Sequence, residues 1–431
     1  MSLIQTPKPA PGPSPAPSTT TGDAERPRSG PAALLGLLTA AGGPRYAAAL
    51  LVDALGTGLL RPFLLLYGIG VLALDAGAAG LAMSAGMVAG LLVLPLTGRW
   101  IDLGARSLPA AATLLVRAAG SVTLLLADGV AGFTAAAVLL GVGSQSWPAT
   151  HAAVVSTLTE GRTRDAALAA GRTLRNAGLG AGALLATLAV AGGTGALQLL
   201  AGVTAAACLL AAGLVHSLRV SAPPVAQTPQ PSAATGVPSS APGPALRRIT
   251  LLSVANLPFA FTFDVLEVAL PALLVLHLHA SAAWSSGIFV GNTVLVIALQ
   301  LAVVLRLGER SRHTVLAAGG FALTLSYLGF WAAGGLGGTA AAGAVAAVSV
   351  LYTFGEILYS GSGTALVAAT APPHLLGRAL ARWELSMGVG RALAPAALTA
   401  LLAVGPGALW PVLAGATLLS SAAVARLRPR G

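Results

Sequence analysis

The chain has few charged residues. They make up 9% of its 431 residues, against about 25% in ordinary soluble domains. A soluble fold of this size would lack the charges needed to cover its surface, so most of that surface is expected to face lipid. Aromatic residues are also scarce, at 5%, which favours closely packed helices over a membrane β-barrel with aromatic girdles.

Several chemistries lack the residues that they need. Cys208 is the only cysteine, so no disulfide can form within the chain. Lys8 is the only lysine, and no glycine-rich phosphate loop contains one, which excludes an ATP-driven protein. His151, His277 and His279 show no metal-ligand spacing with carboxylates or with the cysteine. We expect no metal, no cofactor and, since no nucleophile–base arrangement is present, no enzyme.

Long apolar runs take the place of charge. A helix needs about 20 apolar residues to cross the hydrocarbon core of a bilayer. We predict membrane-spanning helices over residues 46–72, 78–97, 108–127, 129–152, 166–190, 195–217, 249–276, 284–305, 313–333, 339–368, 376–403 and 406–425.

Two segments have no apolar pattern. Residues 1–42 are rich in Pro, Ser and Thr and are expected to be a disordered cytoplasmic tail rather than a signal peptide. Residues 219–248 are rich in Pro, Ser and Ala and are expected to be a flexible cytoplasmic linker. The linker would separate one six-helix bundle, 43–218, from another, 249–425, which a cytoplasmic C-terminus, 426–431, would follow.

The distribution of arginine supports this count of spans. Connectors on the side of the N-terminal tail contain the arginines, including Arg99, Arg162, Arg310 and Arg378, whereas the opposite connectors contain no Lys or Arg. The positive-inside rule places the arginine-containing connectors and both termini in the cytoplasm. The net charge of +11 is thereby explained by topology, and no nucleic-acid partner is expected.

The two halves also resemble each other in sequence. Residues 149–168 align with 363–382, with Thr150 over Thr364 and Arg164 over Arg378. We therefore expect an all-α membrane protein whose twelve transmembrane helices form two pseudo-symmetric six-helix bundles, with a site near the midplane where they meet.

Specific motifs then carry a family resemblance over residues 46–425. The stretch GRWIDLGARS, 98–107, is similar to the signature of the major facilitator superfamily between spans two and three. Gly98, Asp102 and Arg106 match that signature, whereas Leu103 and Ser107 replace basic residues. In span ten and the connection after it, the pattern carried by Gly355, Glu356, Ala371, Pro372, Gly377 and Arg378 also resembles the family.

The chain resembles in particular the twelve-span drug:proton antiporter branch of that superfamily. The resemblance implies the major facilitator fold and export of small molecules against protons. It also implies that Asp102 faces the start of span eleven, close to Arg378 and Glu384, and latches the outward-facing state. One departure is Ala137, which stands where the proton-coupled members carry an arginine in span four.

Ionisable residues inside membrane spans are costly and predict function. We expect Asp264 and Glu267 to share a face of span seven, with Arg61, Arg117 or both opposite them across a central cavity. That group would either couple proton movement to substrate or form a static ion pair. Asp53 is either a proton relay or a partner of Arg61, and Glu356 either lines the cavity or packs.

Further residues of these spans have less specific predicted roles. Arg172 and Arg175 are expected to reach the cytoplasmic surface, and Glu384 to serve gating or packing. Aromatic residues at similar depth are candidates to line the cavity: Phe63, Tyr67, Trp147, Phe261 and Tyr352.

The function that these observations favour is secondary active transport. The expected activity is proton-coupled efflux of small hydrophobic or amphipathic compounds by a monomer in the cell membrane. Two alternatives remain at this point: transport of a sugar, amino acid or other metabolite, and a non-transporting membrane sensor or scaffold with the same fold.

Overall fold

The computed structural model describes residues 36, 37, 39, 42–190, 194–222 and 244–427. The predicted tail, 1–42, lies almost entirely outside the described residues. So do most of the predicted linker, at 223–243, and the end of the predicted C-terminal segment, at 428–431.

Twelve long helices occupy the described part of the chain. The N-terminal half contains α1 Gly43–Gly70, α2 Ala76–Asp102, α3 Ser107–Leu125, α4 Val130–Leu158, α5 Gly161–Val190 and α6 Thr194–Ser217. The C-terminal half contains α7, which consists of Pro244–Ala255 followed by Leu257–Val275, then α8 Ala282–Leu307, α9 Arg312–Gly334, α10 Gly338–Thr370, α11 Leu376–Val404 and α12 Pro406–Arg426.

Eleven of these helices are long and apolar enough to cross a membrane. The exception is α5, which is 30 residues long but carries charged residues along its first half, among them Asp165, Arg172 and Arg175. The predicted all-α membrane architecture is confirmed. The largest difference in bounds is at α4, which ends at Leu158 rather than at residue 152, and α7 begins at Pro244 rather than at residue 249.

Both halves repeat one packing pattern. In the N-terminal half α1 packs on α5 and α6, α2 packs on α4, and α3 packs on α4 and α6. In the C-terminal half α7 packs on α11 and α12, α8 on α10, and α9 on α10 and α12. Each helix is thus in the position of its counterpart six helices later. The halves meet along two seams, α2 against α11 and α5 against α8.

Small residues bring the helix backbones close together, as is common in membranes. At the crossing of α2 and α4, a Cβ atom added to Gly86 would lie 2.2 Å from the carbonyl oxygen of Ala137. One added to Gly141 would lie 2.0 Å from the carbonyl oxygen of Gly86. Neither position can accept a side chain without separating the two helices.

The first helix of each half is interrupted near its charged residues. In α1 a 3₁₀ turn covers Arg61–Phe63, where Pro62 removes a backbone donor. In α7 two π turns cover Val265–Ala269 and Leu273–His277. Such interruptions are often found at functional sites. They place Arg61 and Glu267 at related breaks in the two halves.

Candidate functional site

A buried ion pair lies within the N-terminal half. Nη1 of Arg117, on α3, bonds to Oδ1 of Asp53, on α1, and Nη2 of Arg117 donates to Oγ1 of Thr57. Both charged side chains are at most 5% exposed. Of the two arginines that could have faced the carboxylates of span seven, Arg117 instead has its partner in its own half. Asp53 is likewise the partner of Arg117 rather than of Arg61.

The carboxylate of Asp264 has a looser partner. Nε of Arg391, on α11, lies 3.8 Å from Oδ2 of Asp264, which is beyond hydrogen-bond distance. Oδ2 is buried and has no hydrogen-bond partner. The guanidinium of Arg391 also lies 5.6 Å from the ring centre of Phe263, a cation–π distance. The charge of Asp264 is therefore compensated by Arg391 of α11, within the same half, and only at a distance too long for a hydrogen bond.

Arg61 and Glu267 are exposed although both belong to membrane-spanning helices. The charge of Glu267 acts on Arg61, as do the charges of Arg175, Arg391 and Arg117. The interaction of Arg61 with Glu267 joins the two halves of the chain. We expect water to reach both side chains, because a charge with no water and no partner would be very costly at this depth.

Glu356 lies deeper, beside a chain of polar groups. Nδ2 of Asn292, on α8, donates to Oε2 of Glu356 over 2.7 Å and to Oγ1 of Thr353 over 3.3 Å. The charge of Arg172 acts on both Glu356 and Glu384. Glu356 is thus held between α8 and the N-terminal half.

Arg172 and Arg175 do not reach the surface as expected. Nη1 of Arg172 is buried and has no hydrogen-bond partner. The charge of Arg175 interacts with those of Asp53, Arg117 and Glu384. Both arginines therefore belong to the interior charge cluster, and Glu384 faces this cluster.

The interior charges divide by half and by sign. The N-terminal half contributes four arginines and one carboxylate, namely Arg61, Arg117, Arg172, Arg175 and Asp53. The C-terminal half contributes four carboxylates and one arginine, namely Asp264, Glu267, Glu356, Glu384 and Arg391. The cluster has no net charge as a whole, but its N-terminal side is positive and its C-terminal side is negative.

Only some of the candidate aromatic residues have accessible surface. Phe63 and Phe261 are partly exposed. Tyr67 is 1% exposed, and its hydroxyl donates to the carbonyl oxygen of Leu124 over 3.2 Å. Trp147 is 4% exposed and stacks on a histidine, at a ring distance of 6.0 Å. Tyr352 is buried, and its hydroxyl donates to the carbonyl oxygen of Thr262.

Asp102 contacts the start of α11. Its Oδ1 accepts a hydrogen bond from the backbone N–H of Gly377 over 2.6 Å, and Oδ2 accepts one from Nε of Arg378 over 2.7 Å. The helix N-terminus favours a negative charge at this point. Gly98 allows the approach, since an added Cβ there would lie 2.8 Å from the carbonyl oxygen of Gly377.

Arg106 and Glu384 take no part in this contact. Arg106 is buried, and its guanidinium donates to Thr157, over 3.1 Å, and to the carbonyl oxygen of Ile101. It therefore holds the 2–3 connector on its own half. Glu384, although close in sequence to Arg378, faces the arginines of α5.

A second set of contacts at the same face was not expected from the sequence. Nε of Arg312, at the start of α9, lies 2.7 Å from Oδ2 of Asp165, and its Nη2 donates to the carbonyl oxygen of Gly161 over 3.2 Å. Burial raises the pKa of the Asp165 carboxyl above its usual value, and Arg312 opposes that rise. A more exposed pair, Arg162–Glu309, lies nearby at 3.2 Å.

These two sets of contacts are related by the repeat. The 2–3 connector binds the start of α11, and the 8–9 connector binds the start of α5, the two counterparts six helices apart. We call the first set the Asp102 latch and the second the Arg312 latch. Their common face is the arginine-rich face, formed by the 2–3, 4–5, 8–9 and 10–11 connectors. The internal repeat is a sequence signal for the Arg312 latch, because it relates this latch to the Asp102 latch. The positive-inside rule alone gives the arginines no role beyond topology.

The arginine-rich face is closed. Within the described residues, the hydrogen bonds and ion pairs between the halves all join this face, in the two latches, in the Arg162–Glu309 pair and in a bond from Arg164 to the carbonyl oxygen of Ala368. Arg61 and Glu267, which are exposed, take part in none of these contacts. No group of three or more possible metal ligands is found among the described residues.

Comparison with known proteins agrees with this geometry. Residues 46–395 match the sequence profile of the Major Facilitator Superfamily. The chain belongs to this superfamily. It is a membrane transporter of that type and a multi-pass membrane protein. A search of curated protein sequences finds no significant match.

Solved structures of the superfamily share the fold. The human organic anion transporter MFSD10 (TETRAN) is 17% identical with a TM-score of 0.70, over 92% of this chain and 100% of that one. A bacterial homologue of the iron transporter ferroportin, in the outward-facing state, is 15% identical with a TM-score of 0.67, over 91% and 99%. The fucose:proton symporter FucP of E. coli is 14% identical with a TM-score of 0.63, over 90% and 98%.

Proposed function

We propose that this protein exports small hydrophobic or amphipathic compounds from the cytoplasm in exchange for protons, by alternating access. The observation that carries the proposal is the solvent-exposed pair of opposite charges, Arg61 and Glu267, at interrupted helices above a closed face. A scaffold or sensor has no need of such charges at this depth.

The arginine-rich face is the cytoplasmic one in this proposal, and the membrane is the cell membrane. The positive-inside rule supports the assignment, since the opposite connectors carry no Lys or Arg. The closed state is then outward-facing. The Asp102 and Arg312 latches stabilise it, and they must break for substrate to enter from the cytoplasm.

Asp264 is the residue that we expect to exchange the proton. One of its oxygens is buried with no hydrogen-bond donor, an arrangement that costs free energy when the group is ionised. Arg391 is 3.8 Å away and can approach or withdraw when α11 moves relative to α7. Protonation of Asp264 would release Arg391, and that change would couple proton movement to rocking of the halves.

The Asp53–Arg117 pair has a different role in this scheme. It is sealed and bonded to Thr57, so it fixes α1 against α3 rather than exchanging a proton. Glu356 accepts a hydrogen bond from Asn292, so it is bound less tightly than Asp53 and more tightly than Asp264. It is the second carboxylate that we expect to influence coupling.

Substrate-driven proton flux tests the proposal. The purified protein is reconstituted in liposomes that contain a pH dye, and probes are added from outside: tetraphenylphosphonium, fucose and phenylalanine. We expect proton movement with at least one probe and its loss in Asp264→Asn, with binding of that probe retained. Asp128→Asn, an exposed carboxylate on the face opposite the arginine-rich one, is the matched control and should behave like the parent protein.

Normal proton-coupled flux in Asp264→Asn would refute the coupling assignment. Transport that is independent of the pH gradient in the unaltered protein would refute proton coupling altogether. Sustained transport of fucose alone would favour the second candidate, a transporter of polar metabolites. The charged cavity and the shared fold with a fucose:proton symporter are the reasons for including fucose among the probes.

A further inference from the structure

We infer that the cavity binds a zwitterionic amphiphile, with the anionic group of the substrate at Arg61 and its cationic group at Glu267. The inference rests on the proposed function, because it names the substrate class of the same cavity. It depends on three observations: two exposed and unpaired charges, the sign of the charges around each of them, and the partly exposed aromatic residues beside them.

The two exposed charges are available to a ligand. Within the described part of the chain, neither Arg61 nor Glu267 makes a hydrogen bond or an ion pair, and both side chains are exposed. The other interior charges are less exposed, and several have close partners: Arg117 binds Asp53, and Glu356 accepts from Asn292. Asp264 is buried beside Arg391. Arg61 and Glu267 are the pair whose partner can arrive from solvent.

Arg61 lies in a positive region. The charges that act on it come from Arg175, Arg391, Arg117 and Glu267, three cations and one anion. Anions are attracted to such a cluster, and a guanidinium binds a carboxylate or phosphate through two parallel hydrogen bonds. Arg61 is therefore the anion-binding pole of the cavity.

Glu267 lies in a negative region. Its charge acts on Asp264 and on Glu356, two carboxylates of the same half. A protonated amine or quaternary ammonium placed there would be favoured by all three. Glu267 is therefore the cation-binding pole, and it is held at the π turn of α7.

A ligand with one charge satisfies only one of these poles. A carboxylate at Arg61 would leave Glu267 without a partner in a cavity that closes on it, and an amine at Glu267 would leave Arg61 in the same condition. A charge that loses water without gaining a partner costs free energy. A zwitterion compensates both poles at once and adds no net charge to the closed site.

The apolar part of the ligand also has a surface to contact. Phe63 ends the 3₁₀ turn that begins at Arg61, and Phe261 and Phe263 precede Glu267 on α7. All three rings are partly exposed. The poles and rings together fit a small molecule with an apolar body and two opposite charges, which is a narrower class than amphipathic compounds in general.

Binding of a matched set of ligands tests the inference. Phenylalanine and phenylalanylglycine carry both charges at different separations, phenethylamine carries only the ammonium, and 3-phenylpropanoate only the carboxylate. Isothermal titration in detergent at pH 7 measures each affinity without any proton gradient. We expect at least one zwitterion to bind about tenfold or more tightly than either singly charged ligand, the effect of one charge-assisted hydrogen bond.

Two substitutions separate the poles. Arg61→Gln should reduce the affinity for the zwitterion to that for phenethylamine, and Glu267→Gln should reduce it to that for 3-phenylpropanoate. Arg61→Lys, which keeps the charge, should restore part of the preference for the zwitterion over phenethylamine. Loss of the charge can then be distinguished from a folding defect. Arg45→Gln, an exposed arginine at the start of α1, is the matched control and should leave all affinities unchanged.

The inference is overturned if a singly charged ligand binds as tightly as both zwitterions, or if neither zwitterion binds. Its failure differs from that of the proposed function. Proton-coupled flux of phenethylamine would keep the coupling and refute the substrate class. Tight zwitterion binding without proton flux would keep the substrate class and refute the coupling.

Discussion

The two six-helix halves share one packing pattern but present opposite charges to each other. The N-terminal half places four arginines and one carboxylate in the interior, and the C-terminal half places four carboxylates and one arginine there. The key pair of each half also differs in tightness. Arg117 binds Asp53 in a sealed position, whereas Arg391 stands 3.8 Å from a buried oxygen of Asp264.

This difference indicates that the two halves have different roles. A tightly paired charge holds helices in register and is costly to separate, while a loosely paired charge can change partner or protonation state. We therefore expect the N-terminal half to be the more rigid side of the proposed cavity. The C-terminal half, with π turns in α7 and an unbonded carboxylate oxygen, is the side where we expect change during transport.

The largest effect should come from breaking the tight pair. Asp53→Asn leaves Arg117 buried without a countercharge, and removal of one partner of a buried pair costs about 3–5 kcal/mol. We expect a marked fall in the free energy of unfolding, measured in detergent with a chemical denaturant. Asp264→Asn, at the loose pair, should change it far less. The double variant Asp53→Asn/Arg117→Gln should recover part of the loss, and an Asp53→Asn protein as stable as its parent would contradict the comparison.

The next effect should come from the Asp102 latch. Asp102→Asn keeps an acceptor for the N–H of Gly377 but removes the charge that binds Arg378. A hydrogen bond to a charged group contributes about 1.5–3 kcal/mol, so the ratio of closed to open states should fall about tenfold or more. Transport should drop while membrane insertion stays unchanged. Unaltered flux would mean that this connector only fixes the orientation of the protein in the membrane.

The smallest effects should come from the second latch, and they should separate its two pairs. Arg312→Gln removes a partly buried pair with Asp165, and we expect a severalfold loss of flux. Arg162→Gln removes a pair whose side chains are 67% and 75% exposed, and exposed pairs contribute only about 0–1 kcal/mol. Flux in Arg162→Gln should equal that of the parent protein. Equal losses in both variants would mean that burial does not set the strength of this latch.

The number and order of the helices could be predicted because charge and hydropathy alone determine them. The arginines alternate between connectors, so a missing span would have disrupted their order. The position of Asp102 opposite α11 also followed from the sequence, through the family resemblance of the 98–107 stretch. The least apolar helix, α5, could still be predicted, because the arginines place the connectors before and after it on opposite sides.

The pairing of interior charges could not be predicted in the same way. Depth along a helix follows from residue number, but the choice of partner depends on how each helix is rotated about its axis. Asp53 and Arg117 are on helices that do not follow one another in sequence, and only their packing brings them together. The second latch could not be predicted for a related reason, since Asp165 and Arg312 lie near the starts of helices that belong to different halves.

Distances across the two faces test alternating access most directly. Spin labels at Leu103 and His374 report on the arginine-rich face, and labels at Leu126 and Leu336 report on the opposite face, after replacement of the buried Cys208. Double electron–electron resonance is measured in the parent background and in Asp102→Asn. We predict that the substitution lengthens the first distance and shortens the second in the same fraction of molecules. A change in the first distance without the second, or no change in either, would contradict the account.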